Sequence, residues 1–257
     1  MVIKVRVKLK GSKKLKIAVV SIFKNESMGI REWLTHYKDE GFDKAILLDN
    51  GSTDDYRDAI KGLESFVAVL DAAERHSQVA HYNNLALPQL MKEEIDVVAI
   101  LDMDEYMFSL DGRTLRCRLE NFFGENDNDR VPSGFLCRWT MFGSSGHVNQ
   151  PSSIRKFFTK RKKEQDIHTK GVYWAGALVS GGIGIHYSQV THPTDPCPEG
   201  IQLNHYPIQS KEFFSKVKMT RGDVHSPGFD NFRDWKYFDS YDFDEMEDVS
   251  LSERVSS

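Results

Sequence analysis

Cysteine is scarce in this chain, and the positions of its few cysteines argue against two classes of protein. The 257 residues include three cysteines, Cys117, Cys137 and Cys197, which follow no paired spacing. A disulfide framework or a zinc site needs clustered or regularly paired cysteines. An odd and sparse set is typical of reduced thiols, so the sequence predicts free cysteines in a reducing compartment.

Long hydrophobic runs and a large net charge are missing as well. No apolar stretch approaches the roughly 20 residues that cross a membrane. The N-terminal "MVIKVRVKLKGSKKLK" alternates apolar and basic residues and lacks the apolar core of a secretory signal. The formal net charge of −4 argues against nucleic acid or another general polyanion as partner. These absences predict a soluble, cytoplasmic protein without a membrane span.

The first half of the chain alternates between apolar strands and amphipathic helices. Near-continuous apolar runs predict four strands, at residues 17–23, 44–49, 66–70 and 96–101. Helix patterns such as "MGIREWLTHYKDEG" lie between them, with apolar residues recurring on one face. This alternation predicts an α/β fold with a mostly parallel sheet flanked by helices. Because no internal repeat or low-complexity linker interrupts the chain, we expect a single domain.

A cluster of carboxylates follows the fourth predicted strand. In "LDMDEYMF", residues 101–108, Asp102 and Asp104 come directly after the apolar run "VVAI". If the backbone stays extended, these two side chains point to the same side. Two carboxylates on one side suit Mg²⁺ or Mn²⁺, with phosphate oxygens completing the shell. A solvated turn is the alternative, but ligands of such sheets bind at the carboxyl ends of the strands, which favours the metal.

Five blocks of the sequence follow one another in a characteristic order. They are "AVVSIFKNE" with "IREWLTHYKDEGFDKAILLDNGSTDD", then "LDMDEYMF", "RWTMFGSSGH", "LNHYPIQSKEFFSKVKMTRG" and "DFDEMEDVSL". Together they resemble glycosyltransferases of the GT-A fold, in the family 2-like and family 92-like group, over roughly residues 16–251. The expected organisation is a basic strand or arm over residues 1–15, a glycosyltransferase domain over 16–227 and an acidic, aromatic tail over 228–257.

The resemblance implies a transferase that uses a nucleoside-diphosphate sugar, usually with a uridine or guanosine nucleoside. Asp104 would bind the metal, Asp102 would face the ribose or the metal's water shell, and His205 would complete the coordination. The residues expected to hold the sugar nucleotide are Phe23, Asn25, Glu26, Asp49, Asp54, Gln78 and Asp102, with Lys211, Lys216, Lys218 or Arg221 at the diphosphate.

Several of these residues also fit plainer roles. Asp49 could cap the "GSTDD" turn, and Asp54 could be a carboxylate in the first turn of a helix. His205 could be a surface histidine, and Gln78 could cap or solvate its helix.

The catalytic base is not evident from the sequence. An inverting transfer needs a base that deprotonates the acceptor hydroxyl. Resembling enzymes often carry a carboxylate after the metal motif, and "FGSSGH" contains none. The remaining candidates are Asp166, Glu164, Asp195 and His147, so the base and the stereochemistry stay open.

The sequence therefore predicts a metal-dependent, inverting glycosyltransferase that moves a sugar from a UDP- or GDP-sugar to a glycan, glycoprotein or other hydroxyl acceptor. Two other classes stay open: a module that binds sugar nucleotide or glycan without turnover, and a nucleotidyltransferase. The intact Asp102 and Asp104 argue against the first. "FKNESMG" is too acidic and too poor in glycine for the phosphate loop that the second usually has.

Overall fold

A computed structural model describes residues 14–124, 132–222 and 232–255. The predicted basic arm over residues 1–15 lies outside the described residues except for its last two positions. The predicted tail over residues 228–257 is described from residue 232 to residue 255.

Nine strands of the described residues form one sheet. In chain order the strands are β1 (Ile17–Phe23), β2 (Lys44–Asp49), β3 (Val67–Asp71), β4 (Val97–Ile100), β5 (Glu105–Ser109), β6 (Gly134–Met141), β7 (Lys160–Arg161), β8 (Thr169–Trp174), β9 (Asp195–Pro196), β10 (Ile201–His205) and β11 (Met246–Glu247). Their order across the sheet is β3-β2-β1-β4-β8-β6-β10-β5, and β9 pairs with β6. β7 and β11 form a separate two-stranded sheet.

The first half of the sheet is parallel, as the strand pattern predicts. β1 lies between β2 and β4 and is parallel to both, and β3 continues parallel to β2. Antiparallel pairing begins at β8. Within the described sheet, five of eight pairings are parallel and three are antiparallel. The predicted single-domain α/β fold, with a mostly parallel sheet flanked by helices, is confirmed.

Helices connect the strands and cover the sheet. The α-helices are α1 (Ile30–Asp39), α2 (Tyr56–Ala59), α3 (Gln78–His81), α4 (Leu87–Lys92), α5 (Leu115–Gly124), α6 (Ile154–Phe157), α7 (Lys211–Phe213) and α8 (Trp235–Tyr241). A π-helical turn over Tyr82–Ala86 joins α3 to α4, and another over Phe214–Lys218 extends α7. Short 3-10 helices span Ala175–Ala177 and Ser252–Arg254. In the described ranges, none of the helices has the length and apolarity needed to cross a membrane.

The alternation of side chains along the strands explains why helices pack on both faces. Val19 of β1 belongs to a buried cluster with Trp33 of α1 and Leu115 of α5. Its neighbour Val20 belongs to a second cluster with Leu90 of α4, because successive strand residues point to opposite faces. With both faces covered, the carboxyl ends of β1, β2 and β4 are the open edge at which a ligand can bind.

The segment after β4 turns and does not stay extended. The N–H of Glu105 donates to the carbonyl of Asp102 at 3.1 Å, and β5 begins at Glu105. The expectation of an extended backbone from Asp102 to Asp104 is therefore wrong. The turn is needed because β5 joins the sheet at its far edge, beyond β8, β6 and β10, and not beside β4.

Cys137 and Cys197 form a disulfide, with their Cα atoms 4.7 Å apart. The parallel pairing of β9 with β6 brings the two together, because the residues that precede each cysteine are already paired. The prediction of three reduced thiols is therefore wrong for this pair, whereas Cys117 is free. The two cysteines are 60 residues apart in the chain, so their spacing carries no signal of the pairing.

Removal of this disulfide should destabilise the fold. A cross-link over 60 residues restricts the unfolded chain far more than it restricts the folded one. We expect Cys137→Ser combined with Cys197→Ser to lower the free energy of unfolding by about 2–4 kcal/mol, measured by denaturant titration. Cys117→Ser is the matched control and should have a much smaller effect. Equal losses in the control and in the double variant would contradict the pairing.

Candidate active site

Asp102, the first carboxylate after β4, is paired with a buried lysine. Its Oδ2 accepts a hydrogen bond from Nζ of Lys170 at 2.7 Å, while 30% of its side chain stays exposed. Lys170 lies on β8, the antiparallel neighbour of β4, and is fully buried. A buried ammonium group needs a counter-charge beside it, which Asp102 provides. Asp102 is therefore both a partner of the core lysine and an accessible carboxylate at the sheet edge.

Glu105 approaches the same lysine from inside the protein. Its Oε1 lies 3.7 Å from Nζ of Lys170, and its Oε2 accepts the N–H of Asp102 at 2.9 Å. Burial raises the pKa of Glu105 well above its ordinary value, and Lys170 offsets only part of this effect. Burial alone would lower the pKa of Lys170, but Asp102 and Glu105 outweigh it and raise that pKa. The lysine thus stays charged between two carboxylates.

Asp104 is buried and in contact with two basic side chains. Its Oδ2 accepts a hydrogen bond from Nζ of Lys218 at 2.5 Å, and its Oδ1 lies 3.5 Å from Nε2 of His205. Burial works to raise the pKa of Asp104, but Lys218 and His205 outweigh burial and hold it well below its ordinary value. Asp104 is therefore ionised at neutral pH.

The helix that carries Lys218 comes from the second half of the chain and packs beside the acidic turn, by which we mean Asp102, Asp104 and Glu105. Phe213, Phe214 and Val217 are buried along one side of α7 and its π-helical turn. The apolar face of this amphipathic segment therefore packs inward, as the sequence predicts, and Lys218 is buried along with it.

Of the basic residues expected at the diphosphate, Lys218 and Arg221 are in contact with the residues at the strand ends. Arg221 lies 2.7 Å from the carboxylate of buried Glu26 and donates to the carbonyl of Lys24 at 2.6 Å. Lys211 and Lys216 are exposed on the outer side of the helix. Their role at a diphosphate stays a prediction.

Asp49, at the end of β2, already has partners in its own turn. Its Oδ1 accepts the N–H of Ser52 and its Oδ2 accepts the hydroxyl of Tyr56, both at 2.8 Å. Phe23, at the end of β1, packs edge-on against Tyr56 with the ring centres 4.8 Å apart. Asp49 therefore has the capping role that the turn pattern allowed, and contact of Asp49 and Phe23 with a sugar nucleotide stays a prediction.

The loop after β1 is tied to the turn after β2. Asn25 has a φ of 55°, accepts the N–H of Thr53 at 2.8 Å and donates its own N–H to Ser52. Asp54 accepts the N–H of Ser27 at 2.7 Å through Oδ2. Oδ1 of Asp54 is buried and has no hydrogen-bond partner among the described residues. A buried oxygen of this kind is normally satisfied by water or a ligand.

Gln78 lies close to the ion pair of Asp102 and Lys170. Its Nε2 donates to the hydroxyl of Tyr82 at 3.0 Å, and both residues are buried. Burial, and after it the negative charge of Asp102, raises the pKa of Tyr82. Gln78 and Tyr82 therefore lie near Asp102. Contact of Gln78 with a sugar nucleotide stays a prediction.

The four candidates for the base have different surroundings. Nε2 of His147 lies 3.0 Å from the carbonyl of Phe157, Glu164 is exposed, and Asp195 lies on β9. Asp166 is within 2.6 Å of Nδ1 of His168, an imidazole that can carry a proton. The role of each as a base stays a prediction.

Lys170 is a residue of the site that sequence reasoning misses. It lies in "HTKGVYW", where a charged residue interrupts a strand with aromatic and β-branched residues. A lysine inside a buried strand needs an acidic partner, and that need is the signal in the sequence.

Two residues of the site, Asp104 and His205, could hold a divalent cation. No group of three or more histidine, cysteine, aspartate or glutamate side chains is arranged to hold a metal among the described residues. Oδ1 of Asp104 and Nε2 of His205 are 3.5 Å apart, and neighbouring ligands of one Mg²⁺ or Mn²⁺ ion lie about 3 Å apart. Asp102 is directed to Lys170. The arrangement suits an ion held by one carboxylate and one imidazole, with phosphate and water as further ligands.

No protein-family model and no curated protein matches the chain. Solved structures show distant likenesses. TarS 1-349 from S. aureus is 14% identical over 63% of this chain and 48% of that chain, with a TM-score of 0.40. Glucosyl-3-phosphoglycerate synthase from Mycobacterium tuberculosis, in complex with Mn²⁺ and UDP-glucose, is 18% identical over 49% of this chain and 44% of that chain, with a TM-score of 0.32.

A third likeness is to a cytidylyltransferase from Leptospira borgpetersenii, 10% identical over 64% of this chain and 62% of that chain, with a TM-score of 0.35. The matched parts span about half of TarS 1-349 and of the synthase. The names of the matched structures differ in the activity they state, because one is a glucosyl-3-phosphoglycerate synthase and another is a cytidylyltransferase. At these identities and TM-scores, the likenesses do not assign a function.

Proposed function

We propose that the protein is a glycosyltransferase that moves a sugar from a UDP- or GDP-sugar to a hydroxyl acceptor on a glycan or glycoprotein. The observation that supports this proposal is the contact of Asp104 with His205 and Lys218, next to the carboxyl ends of the parallel strands. Lys218 is 114 residues from Asp104 in the chain, so the fold itself brings these groups together. A carboxylate, an imidazole and an ammonium group at this edge suit the diphosphate of such a donor.

The basic residues would act on the leaving group. When the bond between the sugar and the diphosphate breaks, negative charge develops on the phosphate oxygens. Lys218 and Arg221 are cations at the Asp104 side of the site, and each could donate a hydrogen bond to those oxygens. Asp104 and His205 would hold Mn²⁺ or Mg²⁺, which supplies further positive charge at the phosphate when it is bound.

The loops after β1 and β2 would hold the nucleoside. Oδ1 of Asp54 needs a hydrogen-bond donor, and Asp102 keeps an accessible carboxylate, so both can accept from ribose hydroxyls. Asn25 joins the two loops by hydrogen bonds and would keep them in place. Glu26 would orient Arg221 through their ion pair. In this proposal the sugar nucleotide lies across the ends of β1, β2 and β4.

A thermal-shift screen of the wild-type protein tests this function. A ligand that binds only the folded state raises the melting temperature, and a concentration of 100 times its dissociation constant adds about 2.7 kcal/mol of stability. We expect a UDP- or GDP-sugar to raise the melting temperature when Mn²⁺ is present, and to do so much less with excess chelator. ADP- and CDP-sugars serve as controls for the nucleoside. No shift with any sugar nucleotide, with or without metal, would contradict the proposal.

His205→Ala should weaken the binding of Mn²⁺. Nε2 of His205 is the second ligand in the proposed pair, and its loss leaves one carboxylate to hold the ion. The Mn²⁺ concentration for half of the thermal shift, measured with uridine diphosphate, should rise by about tenfold or more. His192→Ala, which removes an exposed histidine, is the control. An unchanged Mn²⁺ requirement would show that His205 is not a ligand.

A further inference from the structure

Four aromatic rings form a cluster beside the proposed metal pair. The ring of Trp139, on β6, lies 4.3 Å from that of His205, 5.2 Å from that of His168 and 5.4 Å from that of His186, measured between ring centres. His168 and His186 are themselves 5.1 Å apart. We call these four residues the Trp139 cluster. Because His205 belongs to it and also contacts Asp104, the cluster adjoins the position of the donor diphosphate.

His186 provides a second link to the donor site. Burial lowers the pKa of His186, and the positive charge of Lys170 lowers it further, while Asp102 opposes them. His186 is therefore close enough to the Asp102–Lys170 ion pair to be affected by both of its charges. The cluster therefore contacts Asp104 through His205 and lies within electrostatic range of Asp102 through His186.

Three nitrogen atoms of the cluster need hydrogen-bond partners. Nε1 of Trp139, Nδ1 of His186 and Nδ1 of His205 are buried and have no partner within the described ranges. Trp139 is 9% exposed and His205 is 8% exposed, so bulk water does not readily supply these bonds. A buried polar atom without a partner destabilises the fold. A buried water, or a hydroxyl group of a ligand at the edge of the cluster, would satisfy such atoms.

His168, on the outer side of the cluster, is oriented by a carboxylate. Its Nδ1 lies 2.6 Å from Oδ1 of Asp166, which also accepts the backbone N–H of His168 at 3.0 Å. Burial works to raise the pKa of Asp166, but these hydrogen bonds outweigh it and lower that pKa. An ionised Asp166 can only accept, so Nδ1 of His168 carries the hydrogen, and in the neutral imidazole the lone pair is then on Nε2.

Nε2 of His168 is free to meet a substrate. The side chain is 52% exposed, and Nε2 has no hydrogen-bond partner in the part of the chain that the structure describes. A base needs a lone pair, access to the substrate and a fixed orientation, and His168 has all three. Glu164, by contrast, is exposed, and no hydrogen bond orients its carboxylate among the described residues.

We propose that His168, oriented by Asp166, is the general base of the transfer, and that the acceptor binds beside it on the exposed side of the Trp139 cluster. This inference rests on the proposed function. The acceptor hydroxyl oxygen forms a bond to the anomeric carbon of the donor sugar, and the bond from that carbon to the diphosphate oxygen breaks. The nucleoside diphosphate leaves with the electron pair, and Nε2 of His168 takes the hydroxyl proton. Asp166 is a positioning residue that stabilises the resulting imidazolium.

The test compares turnover with nucleotide binding in His168→Ala and His168→Gln. The substrate is the sugar nucleotide selected by the thermal-shift screen, with Mn²⁺ and with water in place of the acceptor hydroxyl. We expect release of nucleoside diphosphate to slow by about 10²–10⁴-fold. The dissociation constant of uridine or guanosine diphosphate with Mn²⁺, measured by calorimetry, should stay within about twofold. Added imidazole should restore part of the turnover of His168→Ala, because it can occupy the vacated, exposed place.

Asp166→Asn separates a positioning role from a structural one. We expect slower turnover with unchanged nucleotide binding, and no rescue by imidazole because the ring of His168 still fills its place. His192→Ala, an exposed histidine outside the cluster, should match the wild type. Wild-type turnover in His168→Ala, or loss of nucleotide binding there, would overturn this inference and leave the proposed function standing. A wild-type protein that neither binds nor cleaves a sugar nucleotide would overturn both.

Discussion

Asp104→Asn is expected to abolish sugar transfer. Asp104 is the carboxylate that contacts both His205 and Lys218, and these two side chains hold its pKa well below the ordinary value. Asparagine keeps the shape of the side chain but loses the charge that would hold the metal. Loss of one group that stabilises charge in a transition state costs about 10²–10³-fold, and loss of the metal with it should cost more. Release of nucleoside diphosphate from the sugar nucleotide measures the effect.

The same substitution should also lower stability, because the ammonium group of Lys218 would be left buried beside a neutral amide. We expect a loss of about 1–3 kcal/mol in the free energy of unfolding. Adding Lys218→Met to Asp104→Asn should recover stability but not activity, which separates the two effects. Asp244→Asn, at a carboxylate that is 72% exposed, is the control. Wild-type turnover of Asp104→Asn in excess chelator would contradict the assigned role.

Lys170→Met is expected to have the largest effect on stability. Nζ of Lys170 lies between the carboxylates of Asp102 and Glu105, and the side chain is fully buried. Without the lysine, Glu105 loses its one cationic partner among the described residues. Breaking a buried ion pair by removal of one partner costs about 3–5 kcal/mol, so unfolding in denaturant should require correspondingly less denaturant.

Two further variants identify the cause of the loss. Lys163→Met removes an exposed lysine and should change stability by less than about 0.5 kcal/mol. Glu105→Gln in the Lys170→Met background should restore part of the stability, because without Lys170 the buried carboxyl must take up a proton, whereas the amide is already neutral. If Lys170→Met is as stable as Lys163→Met, the two carboxylates do not depend on this lysine.

The parallel half of the fold could be predicted from the sequence because its signals are local. Each of β1, β2, β3 and β4 is an apolar run of four to seven residues, long enough to be recognised without knowledge of its neighbours. Parallel strands end at the same edge, so the polar residues that follow them could be expected to lie near one another. The amphipathic pattern of residues 211–218 likewise predicts the helix that carries Lys218, whereas the contact of Lys218 with Asp104, 114 residues away, has no local signal.

The other features depend on strand pairings that no local pattern encodes. The Cys137–Cys197 disulfide follows from the pairing of β9 with β6, and β9 has only two residues. Lys170 reaches Asp102 because β8 is antiparallel to β4. The Trp139 cluster likewise combines residues from β6, β10 and the segments around β8. Such contacts join residues far apart in sequence, and single-sequence periodicity contains no information about which segments meet.

Product analysis tests the central claim most directly. The wild-type protein is incubated with Mn²⁺ and the sugar nucleotide that raises its melting temperature, and separately with a nucleoside triphosphate and a sugar 1-phosphate. We predict release of nucleoside diphosphate in the first reaction, absent in Asp104→Asn, and no pyrophosphate in the second. Pyrophosphate in the second reaction would instead indicate a nucleotidyltransferase. Donor that stays bound and intact with every hydroxyl acceptor, water included, would indicate a binding module, and either result would contradict glycosyl transfer.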